Sequence, residues 1–319
     1  MCYSAQVRAD YRKYVRAYGA QISIKDFYRL YWERSTNTRI RIPKAMDAAF
    51  AEPQSEDERR IKALIDEFDA QQAARLEQEL FKQKKRLADA ERTLQAKTTK
   101  AALESRRIAT EKIEWALGKL GDLRRTELNG EDSRIFPGWY APVISSENGR
   151  RVVKPMRYQC RPAGKPAFID AKFPGTYNAR RDNLQGFWKD VFGVTHGVMV
   201  INAFYENVSR HRMEHRELAP GEKDENVVLE FRPRPTQDML VACLWSHWTG
   251  AGAPELLSFA AITDEPPAEI AAAGHDRCII PIKPENVDAW LNPDAKDLKA
   301  LYAILDDRER PYYEHMLAA

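Results

Sequence analysis

Cysteine is scarce in this chain of 319 residues, and its four copies, Cys2, Cys160, Cys243 and Cys278, form no CxxC pair. That spacing excludes a disulfide framework and gives no zinc signature, so a reducing cytoplasmic setting is expected. Long apolar runs are missing as well. No stretch approaches the ~20 residues a membrane helix needs, and the start MCYSAQVRADYRKY has charged residues where a secretion signal has its apolar core. A lipidated cysteine would follow such a signal, whereas only Met1 precedes Cys2. Neither sign of charge dominates, with 50 basic against 47 acidic residues, so any affinity for nucleic acid must come from a local patch. Internal repeats and low-complexity tracts are absent, and neither a cofactor nor a bound metal is expected.

Proline and glycine are both absent from residues 54–117, with Pro53 and Gly118 as punctuation at the two ends. Ser55 followed by Glu58 reads as a capping box that opens a helix. Leu80, Leu87, Leu94, Ala101, Ile108 and Trp115 recur every seventh residue, while Gln83, Lys97 and Glu104 occupy partner positions, which is half of a coiled-coil seam. The segment is therefore predicted as one long helix, or as a helical hairpin broken near Thr98 and Thr99. Its mixed charges (KQKKR, ERTLQ, ESRR) read as a solvated helix face rather than a DNA surface, because opposite signs alternate.

After about Glu131 the texture changes. Short apolar or β-branched runs (APVI, RVVKP, HGVMVINAFY, NVVLEF, MLVACLW, RCIIPI) are separated by Gly, Pro, Asn and Asp, the pattern of a mostly β domain. The run PENVDAWLNPDAKDLKALY predicts two short helices parted at Asn292-Pro293.

Cys2 carries the most chemical information. Trimming of Met1 would expose a free α-amine and a thiol on adjacent carbons, a 1,2-aminothiol. Such a group condenses with an aldehyde to an imine, and the thiolate then closes a five-membered thiazolidine in an intramolecular step. The α-amine, with an ordinary pKa of about 7.7–8.0, is partly neutral near pH 7, unlike lysine. Taken singly, the other candidates are bland. Asn178 reads as a turn residue after Pro174-Gly175, Glu206 as a strand end, and His275 as a loop histidine after Ala-Gly. His211 and His215 have metal-pair spacing but lack a third ligand, so they read as exposed.

Together, the start MC, the block Tyr177-Asn178-Ala179-Arg180, the run VMVINAFYE (residues 198–206) and the block His275-Asp276-Arg277 resemble the ordered motifs of the SOS response-associated peptidase (SRAP) family. Those motifs are an MCGR start, an N-A-R block, a strand ending in G-F-Y-E-W, and H-D-R-M-P. Supporting pieces are Ala141-Pro142, ACLW (residues 242–245), SFAAITD (residues 258–264) and AWLNP (residues 289–293). The resemblance implies an α+β fold: a mostly antiparallel β core with short helices from residues 1–14 and 131–319, plus a coiled-coil-like helical insertion at 15–130.

It further implies a thiol enzyme that crosslinks to abasic single-stranded DNA through Cys2, in the nucleoid, as part of the SOS response. Asn178 would hold the linkage, while Glu206 and His275 would move protons. Arg180, Arg181, Arg157, Tyr158, Pro142 and Arg277 would contact DNA, with Tyr158 stacking on a base. The chain departs from the pattern at Tyr3 and Ser4 (glycine and arginine in the family), at Tyr158-Gln159 (tryptophan and glycine), at Asn207 (tryptophan) and at Cys278-Ile279 (methionine and proline). Two other readings remain open: an N-terminal-cysteine peptidase using the same residues, and a scaffold that binds a protein partner through the helical insertion.

Overall fold

Short β-branched runs become strands where they can pair, and in chain order these are β1 (Ser4–Val7), β2 (Gln21–Ile22), β3 (Arg134–Ile135), β4 (Tyr140–Glu147), β5 (Arg150–Tyr158), β6 (Asn178–Arg180), β7 (His196–Ser209), β8 (Asn226–Arg234), β9 (Met239–Gly250), β10 (Ala253–Asp264), β11 (Cys278–Ile279) and β12 (Tyr312–Leu317). The helices are α1 (Tyr11–Tyr18), α2 (Ile24–Thr36), α3 (Lys44–Ala48), α4 (Glu56–Ala96), α5 (Lys100–Arg124), α6 (Ile169–Lys172), α7 (Arg210–Met213), α8 (Ala268–Ala272), α9 (Val287–Leu291) and α10 (Leu298–Asp306). The computed structural model describes residues 3–318. Among them no helix is long and apolar enough to cross a membrane.

The sheet closes on itself. β7 pairs with β4 and with β9, β4 with β5, β5 in parallel with β10, and β10 with β9, so five strands form a ring with no free edge between them. Val143, Val198, Val200, Leu244 and Phe259 are fully buried there. β7 is long enough to leave the ring: its second half takes β1 on one side and β8 on the other, and β12 extends β8. The fold is thus α+β with a mostly antiparallel β core, and α9 and α10 flank Asn292-Pro293 as the sequence predicts.

The helical stretch between β1 and β3 has two parts. Tyr11, Tyr14, Phe27, Tyr31, Met46, Phe50, Ile61 and Ile65 belong to the same apolar core as the sheet, and β2 pairs with β5. Arg34 lies over the Phe68 ring at 4.4 Å. Beyond that contact α4 packs on α5 in an antiparallel hairpin turned by Lys97-Thr98-Thr99, with the Thr99 hydroxyl capping α5 at Ala102 N–H (3.1 Å). The seam keeps the predicted register in α4, where the partner positions Gln83 and Ala90 are buried, and departs from it in α5: Ala102, Ala109 and Ala116 are buried, whereas Ala101 is exposed and Trp115 faces solvent at 53%. Small side chains let two helices approach closely, so alanines rather than the bulkier residues one position away take the inner line. Gly118 does not end α5, which runs on to Arg124 while Ala116 and Leu120 are buried; packing outweighs the roughly 1 kcal/mol helix penalty of a glycine. Half of the capping box forms. Ser55 accepts from Glu58 N–H (3.2 Å), but the Glu58 carboxylate bonds Gln54 N–H (2.6 Å), Tyr11 (2.7 Å) and Arg12 (3.1 Å), pinning the start of α4 to α1.

Candidate active site

Glu206 sits on the second half of β7, between β1 and β8, and is fully buried. An ionised carboxylate there is costly, and burial pushes its pKa up to about 8 against the opposing pull of the Tyr3 backbone N–H. His275 reaches it from the turn after α8, with Nε2 3.3 Å from Glu206 Oε2. Gly274 makes that turn possible. Its φ of +94° suits only glycine, and an added Cβ would lie 3.1 Å from the Cβ of Arg212. The His275 Nδ1 is 2.8 Å from the Arg277 carbonyl, an oxygen that only accepts, so Nδ1 carries a proton and Nε2 faces Glu206. The 3.3 Å approach of Arg277 N–H to the same Nδ1 is then close packing rather than a bond. Burial lowers the His275 pKa. Desolvation therefore favours neutral forms of both groups, with one proton held between Glu206 and His275.

Asn178 opens β6, which the Pro174-Gly175 turn feeds (Asn178 N–H to Gly175 carbonyl, 3.1 Å) and which lies in register with Ala261 of β10. Its side chain is nearly buried, and neither amide atom has a hydrogen-bond partner among the described residues. A buried amide left in this way marks a place where another group belongs. Charges tie the blocks together: Asp276 acts on both Glu206 and Arg180, and Arg277 acts on Asp182. Arg180 is half-exposed and pairs with Asp182 at 2.6 Å, a surface contact that is readily exchanged for another anion.

Other expected DNA contacts are placed differently. Tyr158 is fully buried with its ring stacked on Phe259 at 5.2 Å, and Pro142 is buried opposite Pro155, so neither offers a face to a base. Strand alternation decided this, since Tyr158 ends β5 pointing into the core. Arg157 is held by the Gln159 carbonyl (3.1 Å) and Asp170 (2.9 Å), and Arg181 by Asp264 (3.1 Å) and Asp306 (2.5 Å). Arg277 is half-buried and supplies the carbonyl that orients His275. Gln159 keeps a φ of +130°, a glycine conformation without the glycine. The residue that the sequence did not single out is Arg134: its Nε donates to Ser4 Oγ (3.0 Å) and its guanidinium covers the Tyr205 ring at 3.7 Å. No local signal could find it, because pairing of β1 with β3 creates the contact.

Cys160, Cys243 and Cys278 are all buried, and desolvation raises each thiol, Cys160 to about 12 and the other two further. None is a ready nucleophile. Cys2 lies outside the described residues. His211 pairs with Asp224 at 3.0 Å, and among the described residues no group of three or more His, Cys, Asp or Glu could hold a metal ion.

A model of the SOS response associated peptidase (SRAP) family matches residues 91–316. The chain belongs to this family. The SRAP match spans Asn178, Glu206 and His275 and leaves β1 outside it. Membership associates the chain with the SOS response to DNA damage and with a peptidase-like enzymatic role. Solved structures that it resembles include a protein from Bordetella bronchiseptica (TM-score 0.46, 17% identity, covering 59% of this chain and 87% of that one). Another is from Bacteroides thetaiotaomicron (0.45, 11%, 59% and 78%), and a third is a phage-related protein from Bordetella bronchiseptica (0.44, 17%, 61% and 85%). No curated protein matches the sequence.

Proposed function

We propose that this SRAP protein captures abasic sites in single-stranded DNA by a covalent bond to Cys2. Once the residue ahead of it is removed, Cys2 carries a free amine and a thiol. The amine adds to the C1′ aldehyde of the ring-opened sugar and water leaves as an imine forms. The thiolate then adds to the imine carbon, and the nitrogen takes up a proton as the thiazolidine closes. Opening the sugar requires a proton at the ring oxygen and loss of one from the C1′ hydroxyl, and a buried pair holding one proton serves both needs. Asn178 holds the linkage through its unpaired amide, and Arg180 exchanges Asp182 for a phosphate.

One observation carries this reading: the Glu206–His275 pair lies where β1 begins. Tyr3 N–H is 3.3 Å from the Tyr205 carbonyl, and Cys2 is the next residue in the sequence. Incubation with an abasic oligonucleotide is expected to give a complex that survives boiling in denaturant. Cys2→Ala is expected to give none, and Cys2→Ser at most a labile adduct, because a hydroxyl closes the ring poorly. An alanine variant that crosslinks as well as the parent refutes the proposal. Cysteine-dependent peptide cleavage without any heat-stable DNA complex would assign the site to proteolysis instead.

A further inference from the structure

Charges on the α4–α5 hairpin are sorted by distance from the core. Between residues 55 and 81 acidic side chains outnumber basic ones, eight to four, whereas between 82 and 107 nine basic residues face three acidic ones. The whole chain is only +3, so everything outside the distal segment is net acidic. KQKKR, ERTLQ and ESRR, expected to be a solvated face of alternating signs, all lie in this far half, and the count of nine basic to three acidic residues there corrects that reading. Two of the distal acids are already spent within their own helices, Asp89 on Arg92 (3.1 Å) and Glu104 on Arg107 (2.5 Å). Lys82, Lys84, Lys85, Lys97, Lys100 and Arg106 are exposed and enter no ion pair among the described residues. Arg86 donates to Ser105 (2.9 Å) across a groove between the helices that Lys82 and Lys85 also line.

Concentrating like charge on one end of a hairpin opposes folding, and the alanine seam that holds the two helices does not require it. Phe81 adds a second feature. It is 73% exposed, and Lys84 and Lys85 follow at the spacings that share a helix face with it. A bare aromatic ring beside two ammonium groups is the pairing used to stack an unpaired base while holding its phosphates. Reach is also suitable. Lys82 and Lys97 lie about 21 and 44 Å along the helix beyond Phe68, whose ring lies against Arg34 of α2, at 1.5 Å per residue.

We propose that the distal half of the hairpin is a second nucleic-acid contact, in which Lys82, Lys84 and Lys85 grip the phosphates of a single strand and Phe81 stacks one of its bases. The strand is the continuation of the one held at the core, and to that extent the inference rests on the DNA-capture reading. The surface is nevertheless testable with undamaged DNA, where no crosslink can form.

The probes are labelled undamaged single strands of about 40 and about 6 nucleotides, the shorter being enough for the core alone. The proteins are the full-length parent, the triple variant Lys82→Gln/Lys84→Gln/Lys85→Gln, and Phe81→Ala. All four positions are solvent-facing, and equal unfolding temperatures confirm that the variants fold. For the long strand, the triple variant is expected to lose about tenfold or more in affinity, and its slope of log K against log salt is expected to fall by about 2, or ~0.7 per lost phosphate contact. Binding of the short strand should not change. Phe81→Ala should weaken long single-strand binding roughly 5- to 150-fold and leave duplex binding unchanged.

An unaltered slope and affinity for the long strand in the triple variant would overturn the inference. So would a parent that binds both lengths equally. Equal loss on duplex and single strand for Phe81→Ala would remove the stacking role. Heat-stable capture of an abasic strand is scored separately in the same proteins. If it fails while the slope effect persists, the reading of the core falls and the hairpin contact stands.

Discussion

At the scale of single residues, the decisive contact is that between Glu206 and His275, because each group makes sense only in the presence of the other. A carboxyl buried at 0% exposure would be a liability alone, and a histidine behind Gly274 would be an ordinary loop residue. Together they keep one proton out of water. The pair predicts a signed pH dependence of stability. Glu206 has its pKa raised from near 4.5 to about 8, so the stability linked to its proton is complete below its unfolded value and is lost as pH rises through about 8. His275 is lowered and acts in the opposite sense, losing stability as pH falls below its unfolded value of about 6.5. Between about pH 6.5 and 8 only the Glu206 effect operates. Thermal unfolding followed across that window should show the parent losing stability with rising pH and Glu206→Gln nearly flat. Parallel curves for the two proteins would show that Glu206 is ionised in the fold. The same variant is expected to slow crosslinking by about a hundred- to ten-thousand-fold at saturating protein, the range for a general acid–base group. Asn178, Glu206 and His275 were singled out as candidates from motif order alone. Burial of Tyr158 and Pro142 was not, because a motif records which residues occur and not which face of a strand each one meets.

At the scale of elements, the hairpin shows how local signals and packing divide the outcome. Ser55 is read correctly as a helix start, whereas Thr99 is expected only near a break between helices and proves to cap α5; in both cases a hydroxyl capping a free N–H needs only its near neighbours. The inner line of the seam depends on a partner helix, and in α5 it fell one residue from the predicted heptad. Packing also moves the boundary between insertion and core. Replacing residues 77–115 with a short turn should leave a folded protein, because Ile61, Ile65 and the Arg34–Phe68 contact remain. Replacing residues 55–118 should cost far more, since the loss of buried Ile61 and Ile65 alone is worth about 2–5 kcal/mol each. Chemical denaturation of the two deletion proteins tests this. Equal midpoints would mean that the base of α4 contributes nothing to the core.

At the scale of the whole molecule, the closed strand ring and the hairpin should differ in local stability. Strands β7, β9 and β10 bury continuous apolar runs inside a ring without edges, whereas the far end of the hairpin buries mainly alanine. Amide hydrogen exchange is therefore expected to be slowest in those strands and fastest near residues 90–105, where opening breaks few apolar contacts. Protection at the hairpin tip equal to that of β7 would indicate that something else covers it. By itself, the sequence determined the β-rich half, the long helical interruption, its start at Ser55 and the choice of Asn178, Glu206 and His275 as candidate site residues, because these rest on periodicity, caps and motif order over short spans. Only the tertiary structure decided that the strands close a ring, that α1 to α3 join its core, that Arg134 covers Tyr205 beside Ser4, and that Glu206 meets His275 across 69 residues of chain. Each of those contacts joins residues far apart in sequence, and burial, which sets their energies and pKa values, exists only once the whole chain has packed.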